Sequence, residues 1–355
     1  MKILRIIFIN LLVFISLFGI LEIFARYAFP EFKGHIFSES KSMNVTYIDG
    51  SFYGYQIRSP STGFEVSVDK PLVLIFGDSI SGGVGTAYED IWWHRLDRLL
   101  NVKGENVQVI SISGYGNNMG DSTANIISAI NKISADKELK IARIIYQFNY
   151  NDIMPYTSAD LEASTPLNTD FFGKFAKWRY AHANKSVFLR TMQHYAGILV
   201  RDTSGTCEDR EWHALGPYTW TFGSKLYAEE SMEYWRQFEE NLATIDQITQ
   251  ELGAKFEIFI SPILYDIDDE KKHLHYNHLN YDFSCATIAP KERLLDIANK
   301  MNIHIYDPAP ELKRSFEARI QEDNFEPYFF TADDNHFTPV AAAYIAEVIA
   351  KEWND

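Results

Sequence analysis

Residues 73–83 read Val-Leu-Ile-Phe-Gly-Asp-Ser-Ile-Ser-Gly-Gly. Four apolar residues run into a glycine, an acid and a serine, and there the apolar character stops. A short continuous apolar run bounded in this way is the signature of a strand buried on both faces, the kind found inside parallel sheets. Working outward, similar runs recur at Leu72 to Phe76, Val107 to Ile112, Ile144 to Phe148, Phe256 to Ser261 and His304 to Tyr306. Helix-like stretches separate them. Trp92, Leu96 and Leu99 share one helical face, and Met232, Trp235, Phe238, Leu242, Ile245, Ile248 and Leu252 follow at spacings of three and four. Strands alternating with helices predict an α/β fold: a flavodoxin-like, doubly wound sheet of about five parallel strands covered on both faces.

The chain of 355 residues is 46% hydrophobic and 15% aromatic, ample for a packed core. Its formal net charge of −15 argues against a non-specific grip on nucleic acid or anionic lipid, since a polyanion needs a basic face to displace its counterions. From Ile6 to Phe24 the sequence is apolar apart from Asn10, Ser16, Gly19 and Glu22. That is close to the ~20 residues of a bilayer-spanning helix, and no small-x-small cleavage site follows. Residues 1–29 are therefore expected to form an uncleaved membrane anchor. Lys2 and Arg5 precede it, which places the N-terminus in the cytoplasm and the rest of the chain in the periplasm or cell exterior. The rival reading is a core helix of a cytosolic fold, and Glu22 is its best support.

Residues 30–70 are polar with short alternating pieces such as "FEVSV", expected as a stalk and hairpin leading into the core. Residues 71–355 form the α/β domain. Between about residues 153 and 229 its rhythm is broken by an aromatic, loop-rich insertion. Cys207 and Cys285 both follow the anchor, and a disulfide between them and a pair of free thiols are both compatible with the sequence.

In a doubly wound sheet, ligands meet the carboxyl ends of the strands, so chemistry is sought in the residues that follow each one. Gly77-Asp78-Ser79 follows the first strand, Gly114 and Gly116 the second, and Asn151-Asp152 the third. Near the C-terminus, Asp333 and His336 precede a helix with Thr338 as expected N-cap and Pro339 at its first position. A serine where a buried strand leaves the sheet is held on rigid backbone at the rim, which is a nucleophile's position. It needs a base, and a histidine base needs a third group to fix its tautomer. His336 suits the second role and Asp333 the third. The amides of Ser79 and Gly114 and the side-chain NH2 of Asn151 would meet a developing oxyanion.

These four blocks, in this order at the ends of successive elements, resemble the SGNH (GDSL-like) hydrolase family over roughly residues 70–350. The resemblance implies a serine esterase with catalytic Ser79, Asp333 and His336 and an oxyanion hole of Ser79, Gly114 and Asn151, with no cofactor and no metal. Members of that family usually cleave esters of lipids, small acids or acetylated sugars. The implied partner is an ester substrate, with acylated cell-envelope glycans or lipids as candidates for an enzyme held at the membrane. Two departures stand out. Where the family commonly has glycine, the third block here has Asn149, and Asp333 is followed by a second acid, Asp334. An acyltransferase would use the same five residues, and a non-catalytic glycan-binding or assembly protein could keep the fold. His273, His275 and His278 supply nitrogen for a zinc site, but no cysteine or carboxylate spacing completes one, and the segment reads as a solvated loop. Trp178, Tyr180, Trp212, Tyr218 and Trp220 of the insertion read mainly as its own packing, with a sugar or acyl pocket as the alternative.

Overall fold

The computed structural model describes residues 2–28, 49–52, 55–58, 66–83, 86–113, 119–135, 139–153, 188–189, 191–192, 229–267, 289–320, 328 and 336–354. A long helix α1 (Lys2–Ala28) is followed by a two-stranded antiparallel pair, β1 (Asp49–Phe52) and β2 (Tyr55–Arg58). The core sheet comprises β3 (Leu72–Gly77), β4 (Gln108–Ser113), β5 (Ile141–Phe148), β6 (Lys255–Ile260) and β7 (His304–Tyr306). All neighbours are parallel, in the spatial order β4-β3-β5-β6-β7. Counted from β3, that is the order 2-1-3-4-5 of flavodoxin-like sheets, as the sequence predicts.

The strands alternate between two cores with period two. Leu72, Leu74 and Phe76 face one layer with Ile144, Tyr146 and Phe148. There they meet α3 (Met119–Ser134) through Ile126 and Ile130, α4 (Glu229–Glu251) through Trp235, Phe238 and Leu242, and α5 (Ala289–Met301) through Leu294. Val73, Ile75, Val109, Ile145 and Phe259 face the other layer. That layer holds α2 (Trp92–Val102), α6 (Ala309–Ile320) and α7 (Pro339–Lys351). Every residue of β3 is buried, so it admits no polar side chain until the strand ends.

β5 starts at Ile141, three residues before the expected Ile144. The apolar run is interrupted by Arg143, yet the strand passes through it because its charge is answered inside the fold. Arg143 Nη1 donates to Glu257 Oε1 at 2.5 Å and Nη2 to the Trp353 carbonyl at 2.7 Å. The guanidinium lies over the Trp353 ring, 4.0 Å from its centroid. Tyr306 donates its hydroxyl to Glu257 Oε2 at 2.9 Å, and burial beside that carboxylate pushes the phenol well up from its usual range. Three strands and the end of the chain are thereby joined by one polar cluster.

Among the described residues no helix is long and apolar enough to cross a membrane, and the side chains of residues 2–9, 11 and 12 of α1 lie outside that description. Most of the expected insertion at 153–229, Cys207, Cys285, the three histidines at 273, 275 and 278, and the aromatic residues at 178, 180, 212, 218 and 220 also lie outside the described residues.

Candidate active site

β3 and β5 are neighbours, but the chain leaves β3 toward β4 on one side and later continues from β5 to β6 on the other. At such a switch point the loops beyond the two strands splay apart and leave a crevice. Ser79 lies beyond β3, and Asn149 to Ile153 lie beyond β5, with Tyr150–Ile153 in a 3-10 turn.

His336 arrives from the far end of the chain. Thr338 caps α7, its hydroxyl accepting from the Ala341 N–H, and Pro339 occupies the first turn, as expected from the sequence. Ala341, Ala342, Ala346 and Ala350 are buried, and such small side chains let α7 settle closely on α2 and the sheet. Thr86 Oγ1 donates to the Phe337 carbonyl at 3.2 Å, and the Thr338 N–H donates to the Tyr328 carbonyl at 2.9 Å. Held in this way, His336 Nε2 and Ser79 Oγ are hydrogen-bonded at 2.8 Å. Both side chains remain partly exposed, so a substrate has access.

Four amide donors of the loop after β3 are spent within the protein. Ile80 N–H donates to Asp78 Oδ1 at 2.9 Å, Ser81 N–H to Gln147 Oε1 at 3.1 Å, Gly82 N–H to the Asp78 carbonyl at 3.0 Å and Gly83 N–H to the Ile80 carbonyl at 3.1 Å. Among the described residues no acceptor takes the Ser79 N–H. It is thus available to a negative oxygen beside Ser79.

A buried frame that the sequence reading missed keeps the loop in shape. Ser81 is fully buried; its hydroxyl donates to Gln147 Oε1 at 2.8 Å, and its carbonyl accepts from Trp93 Nε1 at 2.7 Å and Ser111 Oγ at 3.3 Å. A Cβ on Gly77 would come within 2.4 Å of Gln147 Oε1, so the close approach of strand and glutamine requires glycine there. Gly83 has φ +66°, a left-handed turn with Ile91 packed against it.

Asn149 does not crowd the crevice. It is 4% exposed and turned into the protein, where Nδ2 donates to Asp78 Oδ2 at 3.1 Å and Oδ1 accepts from the Tyr150 N–H at 2.9 Å. Nor does it need a glycine-like backbone, since Asn302 is the only non-glycine with positive φ among the described residues. It fastens the loop after β3 to the loop after β5. Asp152 Oδ2 accepts from the Asn149 N–H at 2.7 Å and the Tyr146 hydroxyl at 2.6 Å. Burial, reinforced by the nearby Asp78 carboxylate, pushes the Asp152 carboxyl well above its usual value.

That shift has a definite sign. As pH rises past the unfolded value of 3.8, the unfolded chain releases this proton while the folded chain keeps it. The folded state then binds more protons, so Asp152 withdraws stability as pH increases from that point up to its raised folded value. Asp152→Asn, which keeps an oxygen for both donors, is expected to flatten this dependence and to be more stable than the wild type at pH 7. Urea midpoints measured from pH 4 to 8 check it; parallel curves for the two proteins would contradict it.

Gly114, Gly116, Asp333 and Asp334 lie outside the described residues, as does the side chain of Asn151. The structure therefore brings together Ser79 and His336 of the five predicted residues and adds Ser81, Gln147, Trp93, Thr86 and Asn149 as their supports. Among the described residues no cluster of three or more histidine, cysteine or carboxylate side chains could hold a metal ion.

No protein-family model and no curated protein matches this chain. Similar solved structures include a lipolytic G-D-S-L family protein from Veillonella parvula, at 13% identity over 79% of this chain and 96% of that one, TM-score 0.39. A lipase/acylhydrolase from Enterococcus faecalis is 14% identical over 79% and 94%, TM-score 0.38. Axe2, an acetylxylan esterase from Geobacillus stearothermophilus solved as a catalytic mutant, is 12% identical over 80% and 94%, TM-score 0.41. At these TM-scores the likeness carries no argument about chemistry, which this chain's own residues must supply.

Proposed function

We propose that the chain is a serine esterase of the SGNH type, held at the membrane by residues 1–29 with its catalytic domain outside the cytoplasm. The observation that carries the chemistry is the 2.8 Å hydrogen bond between His336 Nε2 and Ser79 Oγ, made by residues from opposite ends of the domain. Ser79 Oγ attacks the ester carbonyl while His336 Nε2 takes its proton. The tetrahedral oxyanion is met by the Ser79 N–H, with the Gly114 N–H and the Asn151 amide as the further donors implied by the motif. Collapse expels the alcohol, which leaves with the proton from His336. Water then gives a proton to the same nitrogen and attacks the acyl-enzyme, releasing the acid and free Ser79. Asp333 is assigned to orient the imidazole.

The anchor is supported by the apolar sequence from Ile6 to Phe24 and by the exposure of Val13, Phe14, Ile15 and Leu17 in α1. An enzyme held there meets O-acylated envelope glycans or lipids first. A fluorophosphonate probe added to the full chain in detergent is expected to label Ser79 stoichiometrically, as read by peptide mass. Absence of labelling in a protein that remains folded would overturn the assignment. An acyltransferase differs only in its acceptor, so faster loss of an acetyl ester when a glycan is added, with acetate appearing on the glycan, would move the reading to transfer.

A further inference from the structure

The last turns of α1 do not stand clear of the catalytic domain. Phe18, Glu22, Ala25 and Arg26 fall at i, i+4, i+7 and i+8, one stripe of a helix, and this stripe is docked. The Phe18 ring meets the Phe188 ring edge-on at 5.8 Å. Glu22 Oε2 accepts the Phe188 N–H at 3.1 Å, and its Oε1 accepts from Arg26 Nε at 2.9 Å. Ala25 is 1% exposed and belongs to the same buried cluster as Trp92, Trp93 and Ile345, against which Phe188 also packs.

The opposite face of the same turns is apolar and bare: Ile20, Ile23, Phe24 and Tyr27 are 63%, 71%, 61% and 86% exposed. Upstream, the five consecutive residues Val13–Leu17 are all exposed, which is more than one full turn and so every face of the helix. Length decides where the bilayer ends. A hydrocarbon layer of about 30 Å takes about 20 residues of helix at 1.5 Å each, and counted from Ile6 it reaches Ala25. The docked stripe therefore overlaps the final turns of the span. A carboxylate at that depth is costly unless paired, and Glu22 is paired twice.

We propose that the C-terminal third of α1, together with residues 188–189 and 191–192, forms a collar seated in the interfacial layer of the bilayer, clamping the catalytic domain onto the membrane surface. The occupant of the bare face is lipid: Ile23 and Phe24 contact acyl chains, Tyr27 sits at headgroup level, and Met192, 54% exposed and four residues on from the docked Phe188, is assigned to the same interface. This rests on the anchor reading above and goes beyond it, because a tethered domain would stand off from the bilayer on a flexible stalk. It also brings esters presented at the bilayer surface within reach, alongside soluble ones.

The test uses the full chain reconstituted in phosphatidylethanolamine and phosphatidylglycerol vesicles, with and without lipids brominated along the acyl chain. Single variants Val13→Trp, Ile23→Trp and Met192→Trp are compared with the parent chain. Bromination is expected to quench the added emission at least twofold at positions 13 and 23 and measurably at position 192. Quenching at 13 with none at 23 and 192 overturns the collar and leaves the anchor standing. No quenching at any position, with vesicles and protein separating on flotation, overturns both. A second copy covering the bare face would leave Ile23→Trp unquenched and give a dimer by sedimentation in detergent. Independently, Glu22→Ala is expected to raise hydrogen exchange several-fold in the peptide containing Phe188–Met192 and to leave β3 unchanged; equal exchange in both proteins overturns the docking.

Discussion

Ser79→Ala is expected to lower kcat for a small acetyl ester by at least about four orders of magnitude while leaving the far-ultraviolet dichroism and the melting temperature of the chain unchanged. The size of the effect follows from the chemistry. Without Oγ there is no acyl-enzyme, and the remaining Ser79 N–H can only polarise the carbonyl toward solvent water. The fold should survive because Ser79 is partly exposed, and the buried polar frame of the loop is made by Ser81, Gln147 and Asp78, not by the nucleophile. Initial rates of acetate release for wild type and variant, on soluble acetyl esters and on acetylated polysaccharide, provide the measurement. Equal rates would end the proposed mechanism. Loss of rate on soluble esters with retained rate on the polysaccharide would place a second site elsewhere in the chain.

The second large effect concerns stability. Arg143→Ala leaves Glu257, 3% exposed, without its cation, and removes the bond to the Trp353 carbonyl that pins the end of the chain. Breaking a buried ion pair from one side costs about 3–5 kcal/mol, because an uncompensated charge remains inside. The double variant Arg143→Met, Glu257→Leu removes both charges and is expected to recover most of that loss, although Tyr306 then gives up its acceptor. Urea unfolding of the three proteins in detergent checks this. A single variant within about 1 kcal/mol of wild type would mean that the Glu257 carboxylate reaches water. Since Arg143 sits near the amino end of β5 and Ser79 beyond the carboxyl end of β3, acetyl-ester kcat/KM of the folded fraction should not change.

Asn149 shows how a departure from a family pattern becomes interpretable only in three dimensions. The sequence alone shows only an asparagine where the family commonly has glycine. Its side chain is a clip between Asp78 and the loop after β5, and its backbone amide serves Asp152. No local signal could have revealed this, because the partner lies 71 residues away. The same holds for Gln147, a polar residue inside an apolar strand whose two donors come from Ser81, 66 residues earlier.

The order of apolar and polar residues alone determined the strand and helix alternation, the parallel sheet, the end of β3 to within one residue of Phe76 and the capped start of α7 at Thr338. Each depends on neighbours within a few positions, through periodicity, a capping hydroxyl or a proline. It also singled out Ser79 and His336 as chemistry-bearing residues. Only the folded chain decided that these two meet across 257 positions and that Arg143 can lie within a strand. Glu22 accepts from the Phe188 N–H, 166 positions away, for the same kind of reason. Contacts between distant segments are set by how the layers pack, and a one-dimensional pattern carries the propensity to form each layer but not the partners its side chains will find there.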